Sequence, residues 1–514
     1  MPDLDSRDVE KNALDSPEMH DPESTTSSTA PEGRSRNILS TIKQSIINDN
    51  FEARGVQRVL PAERNPTSTF GFLQVMLMWM SINMTAVVIV LGFLGPINFS
   101  LSFKDASLVA VFGAILGATP VAYTATFGPR SGNRTMILTR YITGWWPSKV
   151  IVTLTLIILM GYVLLDAVIG GQILSAVSPN ASLSVIVGIV IVCVLTWIVT
   201  AFGYSVFHHF ERYAWLPSLI VICFLIGVSA PKWNLEPGPD LPTRTLAGNR
   251  LSFFSLCLAA EITYAGSGAD MFVYYPSTTS RTKVFLSTLA GLTLSSAIAI
   301  ITGIGLGSGT LTDPAWSSAY SISAGALIVE AFRPLGGFGS FCSVLVALGI
   351  VANMVLPTYA SGVDLQAFGR WFERIPRIVW NTVALVVPMI GAIAGREHLA
   401  EIFSNFLALM GYWVSIWIAI VVEEHILFRK LGRKGWKWED WNDRTKLPIG
   451  IAAGVAFLVG WVGAILGMSQ VWYVGPLAKL VSEQGADIGN YVGFSWALVV
   501  YPPLRWVELR WIGR

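Results

Sequence analysis

What most constrains this chain is a repeated apolar length. About twelve runs of roughly 17–25 residues recur along it, near 70–95, 106–126, 149–177, 183–204, 214–231, 251–273, 284–308, 339–362, 376–394, 398–422, 448–467 and 485–503. Each is long enough to cross a bilayer. Lipid offers no partner to backbone N–H and C=O groups, so runs of this length must become helices. Hydrophobic residues make up 53% of the 514 and charged residues 13%, a balance that excludes a soluble fold. The reading is an all-α membrane protein of about twelve transmembrane helices. A net charge of +2 gives no reason to expect nucleic acid. The expected partners are the lipid bilayer and a small-molecule solute.

The charges sort by side instead. With the N-terminus inside, the cytoplasmic loops hold roughly seventeen Lys and Arg and the outer loops about seven, the bias that sets orientation. The densest cluster runs from Arg429 to Lys446. Both termini are therefore expected in the cytoplasm, and the plasma membrane is the expected location. Residues 1–65 are polar and without periodicity, which reads as a disordered cytosolic tail. No charged-apolar-small signal peptide precedes the first run, so insertion is expected to rely on that helix itself. The sequons at Asn98 and Asn180 fall in loops assigned to the outside and are candidates for glycosylation; the one at Asn133 falls inside.

Two runs are interrupted by polar residues at matching places. The first carries Ser81-Ile82-Asn83-Met84-Thr85, and the sixth carries Tyr264-Ala265-Gly266-Ser267-Gly268-Ala269-Asp270. Glycine and serine are poor helix formers, and freed backbone is tolerated in lipid only where it lines a protein cavity. Five spans separate the two breaks, so the second copy starts from the opposite side of the membrane. Interrupted helices at matching points of two inverted halves mark a solute site near the midplane; close helix packing through small residues is the competing explanation. The division that follows is 66–231 for the first five-helix repeat, 232–426 for the second, 427–447 for a basic cytosolic loop, 448–504 for two further helices and 505–514 for a cytosolic tail.

Five separated motifs then carry a family resemblance. They are TFGFLQVMLMWMSINMT in the first span, FGPRSGNRTMILTRYITGWWPSK after the second, GYVLLDAVIGGQIL in the third, GADMFVYYPSTTSRTKVF after the sixth and VANMVLPTYASGVDLQAFGR in the eighth. Together they resemble the fungal purine–cytosine permeases, a branch of the nucleobase–cation symporters. The resemblance implies a LeuT-type fold, a five-plus-five inverted repeat with two C-terminal helices. It also implies substrate contacts at Ser81 and Asn83, at Tyr162 and Asp166, at Tyr264 and at Asn353. Tyr162 and Tyr264 stand where the family has tryptophans that stack on the nucleobase. Asp166 replaces a neutral polar residue, and Leu356-Pro357 replaces the family's Pro-Asn pair.

Read by themselves, these residues support the same chemistry. Tyr162 and Asp166 are four apart and share a helix face, offering a stacking ring beside a group that, ionised, only accepts hydrogen bonds. That combination favours ligands rich in N–H groups or positive charge; pairing with a neighbouring helix and carrying protons are the other roles open to Asp166. Glu261 precedes Tyr264 by three residues and shares its face. A carboxylate in an apolar span costs about 2.5–3.5 kcal/mol or more. Two roles are open to Glu261, a proton-coupling group or a neutral carboxyl bracing a neighbouring helix. Asp270, near Arg281 and Lys283, reads as a gate or loop anchor. Glu423-Glu424-His425 and the tryptophans at span ends, Trp436 among them, read as interfacial.

Secondary active import of a small nitrogenous heterocycle, a purine or cytosine type before others, is the expected function, with H+ as the coupled ion. A vitamin such as pyridoxine and a basic specialised metabolite are the alternative cargoes, and a non-transporting receptor is the alternative class. The four cysteines lie in apolar runs without pairing pattern and the five histidines form no metal signature, so neither a metal nor another cofactor is expected. No nucleophile–base constellation suggests an enzyme.

Overall fold

The computed structural model describes residues 57–64, 69–179, 182–202, 215–432 and 435–514. Most of the expected 1–65 tail and the sequon at Asn180 lie outside the described residues.

The polar interruption of the first run does break its helix. Helix α1 (Thr69–Asn83) stops at the Asn, Thr85 is extended, and α2 (Ala86–Asn98) leaves at 57° to it. Then follow α3 (Phe103–Ala125), a short α4 (Thr135–Thr143), α5 (Pro147–Val177), α6 (Val185–Phe202) and α7 (Trp215–Ser229). The second half begins with α8 (Thr243–Ile262), which gives way to tight 3-10 turns over Thr263–Gly266 and Gly268–Phe272. Helix α9 (Arg281–Gly309) crosses next, and α10 (Pro314–Ile322) and α11 (Ala324–Phe332) form a short pair before α12 (Gly337–Gln366), α13 (Arg377–Gly395) and α14 (Leu399–Glu423). Helices α15 (Ile451–Gly467) and α16 (Gly489–Ile512) close the chain.

Among the described residues, seven helices are individually long and apolar enough to span, and the bent α1–α2 pair makes an eighth. Helices α6 and α15 are apolar but shorter. The spans containing α8 and α16 are less uniform: Arg244 and Arg250 sit early in α8, and α16 carries Pro502, Pro503, Arg505 and Glu508.

Packing sorts the helices into two groups. In one, α1, α2, α3, α8 and α9 lie together; in the other, α5, α6, α12 and α13 do. Each group draws its members from both halves of the chain, as an inverted repeat requires. Small residues let backbones approach in the first group: a Cβ on Gly303 would fall 1.9 Å from the Ile89 carbonyl oxygen, and one on Gly92 would fall 2.3 Å from that of Ile300. Helix α14 packs against both α8 and the α15–α16 hairpin.

The segments assigned to the cytoplasm meet at one end. Arg58 pairs with Glu439 at 3.3 Å, Arg140 donates to the Ala367 carbonyl at 3.1 Å and to Asn442 at 3.3 Å, and the Tyr141 hydroxyl donates to the Trp438 carbonyl at 2.8 Å. At the other end Arg250 pairs with Asp105 and Lys232 with Asp313, each at 2.7 Å. Trp436 does not sit as a separate belt residue. It stacks on Trp438 and packs edge-on against Phe127 in an aromatic cap that includes His425.

Candidate functional site

Both helix breaks open onto one narrow cavity. Asn83, Thr85, Val87, Val88 and Leu91 line it from the α1–α2 break. Tyr162 comes from α5, Ala260 and Glu261 from the end of α8, Tyr264 from the turn that follows it, Asn353 from α12, and Phe403 and Leu407 from α14. The second break stays tight because Gly268 lies against α3, where a Cβ would come within 2.5 Å of Thr124 Oγ1. Thr124 in turn donates to the freed Ala265 carbonyl at 3.2 Å. On α12, Pro357 has no N–H for the carbonyl of Asn353 four residues back, so the helix is loosened beside the site.

Two tyrosines form the cavity's flat walls. The rings of Tyr162 and Tyr264 are nearly parallel, 8° apart, with centroids separated by 5.9 Å. Trp79 meets Tyr264 edge-on, and Phe406 meets Tyr162 at 90°. The Tyr162 hydroxyl is 2.8 Å from Thr263 Oγ1 and donates to the Ala260 carbonyl at 3.0 Å, tying α5 to the turn that follows α8. A planar ring inserted between the two needs about 3.5 Å on each face, so the pair must part by at least about 1 Å to take one.

Polar groups meet the cavity as two matched pairs. Asn83 Nδ2 donates to both oxygens of Glu261, at 3.0 and 3.1 Å, and Ser296 of α9 donates to the same carboxylate. Asn353 Nδ2 donates to both oxygens of Asp166, at 3.3 and 3.0 Å. Glu261 and Asp166 are both buried, and neither has a lysine or arginine partner among the described residues.

The expected site residues are thus placed unevenly. Asn83, Tyr162, Glu261, Tyr264 and Asn353 share the cavity. Asp166 does not line it; its carboxylate is met by the amide of Asn353, which does. Ser81 bonds back along its own helix, to the Leu77 carbonyl at 3.2 Å, and is also off the cavity lining. Asp270 sits apart, accepting from the Thr135 backbone N–H at 2.7 Å and its hydroxyl at 2.8 Å, with Arg134 at 3.6 Å. That arrangement locks the second break to α4 at the basic end. Nearby, Tyr275 reaches from the same segment to the Gly71 carbonyl at 3.0 Å. Asn98 is exposed on the last turn of α2, at the opposite end, whereas Asn133 is fully buried.

Four contributors went unread in the sequence. Thr85 lay within the polar interruption but was one of several polar residues there. Ser296 was one serine of a Ser295-Ser296 pair in an apolar run, a signal that polar side chains in a span carry. Phe403 and Leu407 look like any lipid-facing residues.

Comparison with known proteins bears on the family and the fold. Residues 61–484 match the model of a family described as permease for cytosine/purines, uracil, thiamine, allantoin. The chain is 35% identical to the purine-cytosine permease fcyB of Emericella nidulans, with 90% of each chain covered. It is 34% identical to the purine-cytosine permease FCY22 of Saccharomyces cerevisiae and 31% identical to that organism's vitamin B6 transporter TPN1, covering 90% of this chain and 88% of each relative. Its fold matches that of Mhp1, a nucleobase-cation-symport-1 family transporter solved in a closed conformation with bromovinylhydantoin bound. The TM-score is 0.66 at 13% identity, over 89% of this chain and 96% of that one. With the two broken helices meeting at a cavity inside a five-plus-five bundle, this chain belongs to the family of permeases for cytosine/purines, uracil, thiamine and allantoin.

Proposed function

We propose that the protein is a secondary active transporter that imports a purine- or cytosine-type nucleobase together with a proton. The observation that carries this is the cavity at the two helix breaks, walled by the parallel rings of Tyr162 and Tyr264 and edged by Asn83 and Asn353. Stacking walls suit a flat ring, and amides at its edges suit heteroatoms that donate and accept hydrogen bonds.

Glu261 is the coupling group in this proposal. It lies on the cavity, bonds to Asn83 of the α1–α2 break and to Ser296 of α9, and has no cationic partner among the described residues. Gaining or losing a proton there changes the contact that joins the two broken helices, which is what coupling requires. Asp270, held by Thr135 and Arg134 at the basic end, is the inner latch. The protein lies in the plasma membrane with both termini in the cytoplasm, and Asn98 and Asn180 are the positions a glycan would occupy. In a cysteine-free background, an impermeant thiol reagent applied to intact cells labels a cysteine at Leu311 and spares one at Gly435; the opposite pattern reverses the topology.

Uptake of labelled adenine, cytosine, uracil and pyridoxine in a transport-deficient fungal cell tests the function. Accumulation of a nucleobase that collapses with a proton uncoupler supports the reading. Accumulation of pyridoxine alone moves the cargo to a vitamin, and binding without flux makes the protein a receptor.

A further inference from the structure

The two carboxylates fix how the asparagines face the cavity. An amide nitrogen offers two donors and its oxygen two acceptor positions. In each pair here the nitrogen is turned onto a carboxylate: Asn83 Nδ2 onto Glu261 at 3.0 and 3.1 Å, Asn353 Nδ2 onto Asp166 at 3.3 and 3.0 Å. While the carboxylates are ionised, reversing either amide would set its oxygen against another acceptor, and the two would repel. The remaining polar atom of each amide is its oxygen. Asn83 Oδ1 is buried and takes no hydrogen bond, and Asn353 Oδ1 takes none among the described residues. Thr85, on the same break as Asn83 and on the cavity lining, has a buried hydroxyl without a partner as well. An unpaired buried polar group costs about 1–3 kcal/mol, so Asn83 Oδ1 and the Thr85 hydroxyl point to a ligand that satisfies them. Asn353 Oδ1, on a half-buried side chain at the same cavity, is open to that ligand too.

From this we infer that Asp166 and Glu261 are positioning residues that make the cavity a reader of N–H donors. Asn83 belongs to one helix group and Asn353 to the other, so their oxygens approach from two sides. The matching ligand is a flat heterocycle with donors on opposite edges, a ring N–H and an exocyclic amine, as in cytosine or adenine. Uracil offers ring N–H groups flanking one carbonyl and an oxygen where cytosine has its amine, so it leaves one acceptor facing another. The inference rests on the nucleobase reading and narrows it to amino-bearing bases.

The test is equilibrium exchange, which needs no net proton flux, in vesicles carrying the full-length protein at measured surface level. Wild type should bind cytosine at least about tenfold better than uracil. Asp166→Asn supplies a side chain that can donate as well as accept, so the Asn353 amide is free to reverse, and the cytosine-to-uracil preference should fall by about tenfold. Glu261→Gln should act in the same direction through Asn83. Thr85→Val removes an orphan hydroxyl without changing shape; it should weaken cytosine several-fold and leave thermal stability intact. Weakening of both bases by the same factor in Asp166→Asn and Glu261→Gln would overturn the positioning role, as would no change at all. Should neither carboxylate variant reach the membrane, unaltered cytosine affinity in Thr85→Val would overturn the inference by itself. Wild-type protein that exchanges no nucleobase would remove the function proposed above, and this inference with it.

Discussion

Two sets of the molecule's buried carboxylates are treated in opposite ways. At the basic end Glu424 is wholly buried but surrounded by positive charge: Arg429 lies at 2.8 Å, Arg505 reaches both of its oxygens at 3.0 and 3.2 Å, and Tyr501 donates at 2.8 Å. Arg505 also holds Glu508, which accepts from the backbone N–H groups of Gly450 and Ile451 where α15 begins. This network stitches α14 to α15 and α16. At the cavity, Glu261 and Asp166 have only neutral partners. Charge removed from water without a counter-charge is costly, and nothing in the packing of α5 or α8 demands a carboxylate there. The compensated acid is a brace, and in the function proposed above the two uncompensated acids beside the cavity serve what passes through the site. Asp487, buried among Tyr412, Gln470 and the Gly489 N–H away from the cavity, shows that position and not missing counter-charge alone carries that proposal.

The largest effect should come from breaking the brace. Removing one partner of a buried ion network typically costs about 3–5 kcal/mol, so Arg505→Met should sharply lower both melting temperature and surface abundance. The surviving fraction should keep its substrate preference. An altered preference at normal abundance would merge the two classes of acid. At the cavity the pattern inverts. Asn353→Ala should lower abundance less than Arg505→Met does, through the unpaired Asp166 carboxyl it leaves. In the protein that reaches the membrane it should weaken nucleobase affinity roughly ten- to a hundredfold, because a ligand group loses its partner at a cost of about 1–3 kcal/mol. Unchanged affinity would remove Asn353 from the site. A smaller effect is expected of Tyr162→Phe, which keeps the ring and loses the contacts to Thr263 and Ala260. That should cost about 0.5–1.5 kcal/mol, up to about tenfold in affinity. Tyr264→Phe, whose hydroxyl makes no hydrogen bond among the described residues, should change affinity less still.

Much of this was legible before any coordinates. Apolar run length dictates the helices, and Lys/Arg sorting matches the segments that meet at each end. The polar residues at Asn83 and Gly266–Gly268 mark the breaks, and the close packing that competes as an explanation for small residues is present as well, at Gly268 against α3. What stayed hidden is what joins distant segments. Asn83 and Glu261 are 178 positions apart, and Asn353 and Asp166 are 187 apart. Nothing local in Asp166 decides between the roles the sequence leaves open to it, contact with the solute, pairing with a neighbouring helix or proton carriage, and its contact with Asn353 is visible only in the fold. Glu424 looks interfacial for the same reason: its neighbours in sequence are polar, and Arg505 lies 81 positions away. Helical periodicity sees partners one turn off and is silent about those brought in by the fold.

The claim that the uncompensated cavity acids serve transport is tested most directly by Glu261→Gln in proteoliposomes, measuring equilibrium exchange and proton-driven accumulation of the same nucleobase. Glutamine keeps the shape and a hydrogen-bonding side chain beside Asn83 and Ser296 but cannot load a proton. Exchange should persist while accumulation against a gradient disappears. Undiminished accumulation, or loss of exchange and accumulation together with protein abundance, would contradict the account.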